Sequence, residues 1–118
     1  AKKPADHALS VKALSLVAQR FRTLADVKRL QILQELFDAE LSVQELCKQT
    51  ELSQPTVSKQ LGVLRSEGLV KRRKADGFSF YSLDDTTLTE LCRIVCGSLT
   101  QKFESALGEF PEKAIGLP

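Results

Sequence analysis

Two helix starts lie eleven residues apart in the middle of this chain, and they restrict its fold more than any other feature. In "SVQE", Ser42 and Glu45 form a capping box, hydroxyl and carboxylate each satisfying a free backbone N–H of the other's residue. In "SQPTVSKQL", Ser53 is an N-cap, and Pro55 sits in the first turn, where a missing N–H costs little. The first helix must therefore be short, roughly residues 43 to 50. The turn "TELS" separates it from the second, which begins at 54 and should stop near Ser66–Gly68, with Gly68 supplying a left-handed end. Val57, Leu61 and Leu64 recur at i, i+4, i+7 and predict one buried stripe on that second helix. Its other residues, Gln54, Thr56, Ser58, Lys59 and Gln60, are short hydroxyls, amides and one cation. An ordinary solvated helix face would instead mix Glu with Lys.

The surroundings complete the pattern. Leu9, Ala13, Leu14, Val17, Ala18 and Phe21 predict an amphipathic helix upstream, and Asp26 caps another with apolar positions Leu30, Leu33, Leu36 and Phe37. "LSV" at 41–43 reads as a short extended piece. Downstream, "LVKRRK" and "FSFYSL" are strand-like runs around Ala75-Asp76-Gly77, and Asp-Gly is a strong hairpin signal. A long final helix follows, capped at Asp84 or Asp85, with the stripe Leu88, Leu91, Cys92, Val95, Leu99 and Phe103; Pro111 lies beyond its end. The expected fold is mainly α with a small β-hairpin: four helices, a two-stranded wing and a long C-terminal helix, a winged helix-turn-helix. At 118 residues, one domain over 1–118 is expected, large enough to bury its own core.

In this motif the second helix of the pair lies in the major groove. Amides pair with adenine, hydroxyls with several bases or phosphates, and a lysine with guanine or the backbone. The charge map agrees. Net charge is only +2, but residues 1–52 carry +1, residues 53–82 carry +4 and residues 83–118 carry −3. The basic centre is the footprint of a polyanion-binding surface. The candidate contacts to double-stranded DNA are Gln54, Thr56, Ser58, Lys59, Gln60 and Arg65 on the helix, and Lys71, Arg72, Arg73 and Lys74 on the wing. A winged-helix module that binds protein is the competing reading, and the polar helix face beside a +4 segment weighs against it. An enzyme is excluded: with a single histidine, His7, in the N-terminal arm, no nucleophile–base–orienter set, Gly-rich phosphate loop or catalytic metal triad can be assembled.

From about Phe21 to Leu83 the chain resembles the ArsR/SmtB family of bacterial metal- and stress-sensing repressors. "LADVKRLQIL", "ELSVQEL", "LSQPTVSKQLGVLRSEGLV" and "FYSL" fall in that family's order and spacing. The resemblance implies a homodimer joined through the first and last helices, operator binding near the regulator's own promoter, and release by an inducer. The apolar stripe of the last helix, which a domain of this size can scarcely cover, favours a dimer independently. Three departures bear on the inducer. Ser42 and Gln44 stand where the arsenic repressors carry cysteines in their metal box. No histidine follows His7, so the family's Asp/His site on the last helix is missing. Gln34 and its neighbours offer no thiol on the second helix. The wing tip is Asp76-Gly77, where many relatives have an arginine, which weakens the minor-groove contact or moves it to Arg72, Arg73 or Lys74.

Three cysteines cannot form a complete internal disulfide set, which together with the lack of a secretion signal or a membrane-length apolar run suggests a reducing cytoplasmic setting without membrane contact. Cys47, four after Val43, reads as a small core residue. Cys92 and Cys96 stand one turn apart on the last helix, where two thiolates can reach one soft ion. No obligatory cofactor is expected. The expected inducer is a soft metal or metalloid such as As(III) or Sb(III), with Cys47, the partner subunit or a small thiol as candidate third donor. A thiol-redox or persulfide signal is the alternative, and mere packing of both cysteines in the seam is the plainest reading.

Overall fold

The computed structural model describes residues 8–107, with side chains described through Phe103. His7, Pro111 and the outer ends of the expected 1–118 domain lie outside the described residues. The elements are α1 (Val11–Leu24), α2 (Val27–Glu35), β1 (Leu41–Ser42), α3 (Val43–Thr50), α4 (Gln54–Ser66), β2 (Val70–Ala75), β3 (Phe78–Leu83) and α5 (Thr87–Leu107).

Local chemistry sets each boundary. Ser10 and Asp26 cap α1 and α2, accepting from the backbone N–H of Ala13 and Arg29. Both halves of the Ser42–Glu45 box form, at 2.9 and 3.1 Å. The Ser53 hydroxyl accepts from Thr56 N–H at the start of α4. Gly68, at φ 75°, ends that helix. Asp76 and Gly77 both take positive φ, 51° and 79°, the backbone signature of a type I′ hairpin turn. Between the two candidate caps of α5, Asp85 is the one used: its carboxylate accepts from Thr87 N–H at 3.0 Å.

The hairpin is part of a three-stranded antiparallel sheet, order β1-β3-β2, because the short "LS" segment pairs with β3 through Leu41↔Tyr81 and Ser42↔Phe80. The wing thereby acquires a third strand that anchors its base to the start of α3.

A single core joins these elements, with Ile32, Leu33, Leu46, Val57, Leu61, Leu64 and Leu69 essentially removed from water. On α2 the inward positions are Ile32, Leu33 and, just past its end, Leu36, whereas Leu30 is 38% exposed. The buried face is thus rotated from the expected stripe: Ile32 is a core residue and Leu30 is not. Leu88 pins the start of α5, and Leu91 packs on the core. Much of the rest of α5's stripe and of α1's stays open, with Leu14, Val17, Phe21, Val95 and Phe103 exposed and Cys92 and Leu99 half-buried. Among the described residues no helix is long and apolar enough to cross a membrane.

Candidate nucleic-acid interface and thiol pair

The buried stripe of α4 fixes which of its side chains can meet a ligand. With Val57, Leu61 and Leu64 inward, Gln54, Ser58, Lys59 and Arg65 are exposed, and Thr56 is half-buried. The Thr56 hydroxyl also accepts from Ser53 Oγ at 2.8 Å, so it braces the cap as well as bordering the surface. Gln60 departs from the expectation. It is only 8% exposed, and its Oε1 accepts a 2.8 Å hydrogen bond from Arg29 Nε on α2. The physical reason is its position: Gln60 follows Val57 by three and precedes Leu64 by four, which places it on the buried stripe. An amide can occupy such a position only with a partner, and Arg29 is that partner. The 57-60-61-64 spacing was the available signal.

The wing carries its cations on both faces, since successive side chains of β2 alternate. Lys71, Arg72, Arg73 and Lys74 are all exposed. Arg73 is nevertheless engaged rather than extended. Its guanidinium makes a fork to the Glu40 carboxylate, with Nη2–Oε1 at 2.7 Å, and lies 5.2 Å from the ring centroid of Phe80, its cross-strand neighbour. The hydrogen bond and charge of Arg73 hold the Glu40 carboxyl below its ordinary range. The Arg73 cation is therefore offset locally, and Lys71, Arg72 and Lys74 remain as the strand's other positive charges. Such a surface pair is weak and exchangeable.

Behind α4 runs a polar chain that periodicity does not announce. Glu67, just past its end, accepts from Gln19 Nε2 at 2.8 Å and Thr23 Oγ1 at 3.1 Å, both on α1. Those two bonds keep the Glu67 carboxyl below its usual range. Arg20 donates to the Glu67 carbonyl at 3.4 Å and pairs with Asp85 at 3.1 Å, so the residue that starts α5 is tied to α1 as well. Arg29, besides holding Gln60, donates from Nη1 to the Thr23 carbonyl at 3.1 Å. Each of these residues is polar, and most lie far from their partners in sequence, where the spacing of apolar positions carries no information.

Cys92 and Cys96 are both half-buried and both line one groove of about 650 Å³. Its walls are Phe21 and Leu24 of α1, Leu30 of α2, Phe37 beyond it, and Leu91, Val95 and Leu99 of α5; Gln34 and Asp38 supply polar edges. Burial, and secondarily the neighbouring Cys96, push the Cys92 thiol above its ordinary pKa. Cys47 packs against the main core and does not line this groove. Among the described residues no group of three or more His, Cys, Asp or Glu is placed to hold a metal ion. Cys47 is therefore ruled out as a third donor beside Cys92 and Cys96 within one protomer.

Residues 26–72 match the family described as "Bacterial regulatory protein, arsR family". The chain is 41% identical over 86 residues to the transcriptional activator HlyU of Vibrio cholerae, covering 73% of this chain and 76% of HlyU. It is 39% identical over 80 residues to the biofilm growth-associated repressor of Xylella fastidiosa, covering 68% and 70%. Among solved structures, the homodimeric winged helix-turn-helix DNA-binding domain of Mb0332 from Mycobacterium bovis superposes with a TM-score of 0.72 at 28% identity, over 87% of this chain and 97% of that one.

Proposed function

Because this chain belongs to the arsR family of bacterial regulatory proteins, a family of DNA-binding transcriptional regulators, we propose that it is a homodimeric cytoplasmic repressor, released from its operator when a soft thiophile binds the Cys92–Cys96 pair. The observation that carries DNA reading is the face of α4. Gln54, Ser58 and Lys59 are exposed, carry groups that pair with base edges, and precede a strand bearing four cations. Thr56 borders that face, and Arg65 with Lys71, Arg72 and Lys74 would meet phosphates, joined by Arg73 if it exchanges Glu40 for the backbone.

Neutralising Arg72 or Lys74 is expected to weaken operator and random DNA alike. It should also lower the slope of log affinity against log salt by about one unit for each phosphate left without its cation. An unchanged slope in both variants would mean that the hairpin does not approach DNA.

The inducer reading rests on two half-buried thiols one turn apart in an apolar groove. Arsenite and antimonite suit them chemically. Each As–OH bond that meets a thiol becomes As–S and expels water, so the thiol's proton leaves in the product. Burial raises the Cys92 pKa and so lowers the thiolate fraction open to any of these reagents; the preference for arsenite or antimonite rests on the paired spacing of the two thiols, which suits one ion bound by both. A third sulfur would come from the partner subunit or a small cellular thiol. A coupling of about 1–3 kcal/mol between this groove and the DNA face would be enough for release.

The test is a gel-shift panel on promoter DNA with arsenite, antimonite, cadmium, zinc, persulfide and peroxide. Arsenite or antimonite is expected to release the wild type. Cys92→Ser and Cys96→Ser should each lose that response with operator binding intact, and Cys47→Ser should respond normally. If both variants respond as the wild type does, the two cysteines are packing residues; if only persulfide or peroxide acts, the signal is oxidative.

A further inference from the structure

We infer that Arg29 and Gln60 are positioning residues for DNA reading: their bond sets the pose of α4, so that operator preference depends on a side chain of α2 that lies outside the helix-turn-helix unit. This rests on the reading of α4 as the base-reading helix. Hydrophobic burial alone leaves the pose loosely defined. Val57, Leu61 and Leu64 gain from leaving water, and that gain is non-directional; close packing limits how far the helix can move but supplies no bond direction of its own. Base reading is less forgiving, because side chains must be held to about 0.5 Å and 10–20° of the productive geometry.

The polar chain supplies the missing directionality. It holds α4 at two points about two turns, or roughly 10 Å, apart along its axis. At Gln60 the Arg29 guanidinium donates from Nε to the amide at 2.8 Å and from Nη1 to the Thr23 carbonyl at 3.1 Å, so one rigid fork spans α2, α1 and α4. At Glu67 the carboxylate accepts from Gln19 Nε2 and lies 3.1 Å from Thr23 Oγ1, whose one proton is shared with the Gln19 carbonyl, both residues being on the same last turns of α1. Both holds therefore take their footing on one short segment of α1, and together they resist rotation of α4 about its axis. Thr23 is 2% exposed and Gln60 8%. Neither can exchange its protein partner for water without the chain opening, which makes the arrangement stiff. Arg20, bonded to both Glu67 and Asp85, extends the same footing to the start of α5.

Gln60→Glu separates this role from direct contact. A carboxylate at 60 that faces Arg29 keeps the bond and gains charge; one that faced DNA would meet phosphates. Affinities are measured for the promoter duplex and for a random duplex of equal length, with a thermal melt for each variant. Gln60→Glu is expected to keep operator affinity within about threefold of wild type. Arg29→Met should lose about tenfold or more on the operator and little on random DNA, a change within the usual span of coupling between sites. Arg29→Met/Gln60→Ala should be no worse than Arg29→Met, as expected of two residues sharing one interaction.

Heavy loss on both duplexes for Gln60→Glu, or an unchanged operator-to-random ratio for Arg29→Met, overturns the inference. Should Arg29→Met fail to fold, Arg29→Lys, which keeps the charge without the fork, is judged by the same ratio. A wild-type protein with no operator preference would instead overturn the reading of α4 itself.

Discussion

Val95→Asp is expected to turn the protein into folded monomers that bind the operator about 10²–10⁴-fold more weakly than wild type, the range expected when two linked half-site contacts become independent. Val95 is 49% exposed, on a helix that also exposes Ile94 and Phe103; Leu14, Val17 and Phe21 of α1 are similarly open. Phe21 and Val95 meet at one groove, and so many large exposed apolar side chains on two helices point to an interaction face. Symmetric pairing through α5 would set each Val95 close to its copy. A carboxylate there would be buried without a cation and beside a like charge, which is strongly disfavoured. The monomer itself should tolerate the change, because Val95 contributes nothing to the buried core. Sedimentation at micromolar concentration checks the expected shift, and a cooperative thermal melt of the monomer confirms that the fold survives. A wild-type chain that sediments as a monomer would mean that the α1 and α5 faces serve another partner.

The local code was legible wherever one residue type has one geometric use. Ser42–Glu45, Ser53–Pro55, Gly68 and Asp76-Gly77 each fix a cap or a turn almost alone, and α3, α4 and the hairpin fall where those residues put them. Faces were legible only where side-chain polarity agreed with helical position. Gln60 is an amide on an apolar stripe, and its inward turn depends on Arg29, thirty-one residues away in sequence. Arg73 and Glu40 form their fork because β1 joins the sheet beside β3 and brings the preceding residue to the wing, a pairing that two residues of strand could not announce. Cys47 and the pair Cys92 and Cys96 differ in the same way. Their spacing was visible, but the fact that they belong to separate environments, the core and the groove, follows only from how α5 lies against α1 and α2.

The rotation of α2 gives the other large effect. Ile32→Ala should cost about 2–5 kcal/mol, the range for emptying a fully buried aliphatic site, because Ile32 is 0% exposed within the core that also holds Leu33, Leu46 and Leu61. At about 4–8 °C per kcal/mol for a domain near this size, the melting temperature should fall by roughly 10 °C or more. A native domain holds only about 5–15 kcal/mol in reserve, so the variant stands close to unfolding at physiological temperature. Leu30→Ala, on the same helix and chemically a comparable truncation, should cost distinctly less, since Leu30 already keeps 38% of its surface in water. Leu30 also lines the groove beside α5, where a second subunit could cover it. The two truncations are therefore best compared in the Val95→Asp background, in which only contacts within one protomer contribute. A larger loss for Ile32→Ala there places Ile32 inside. Equal losses would mean that α2 is turned partway back toward the Leu30 stripe, and the Arg29 fork, on the same helix, could not then reach Gln60.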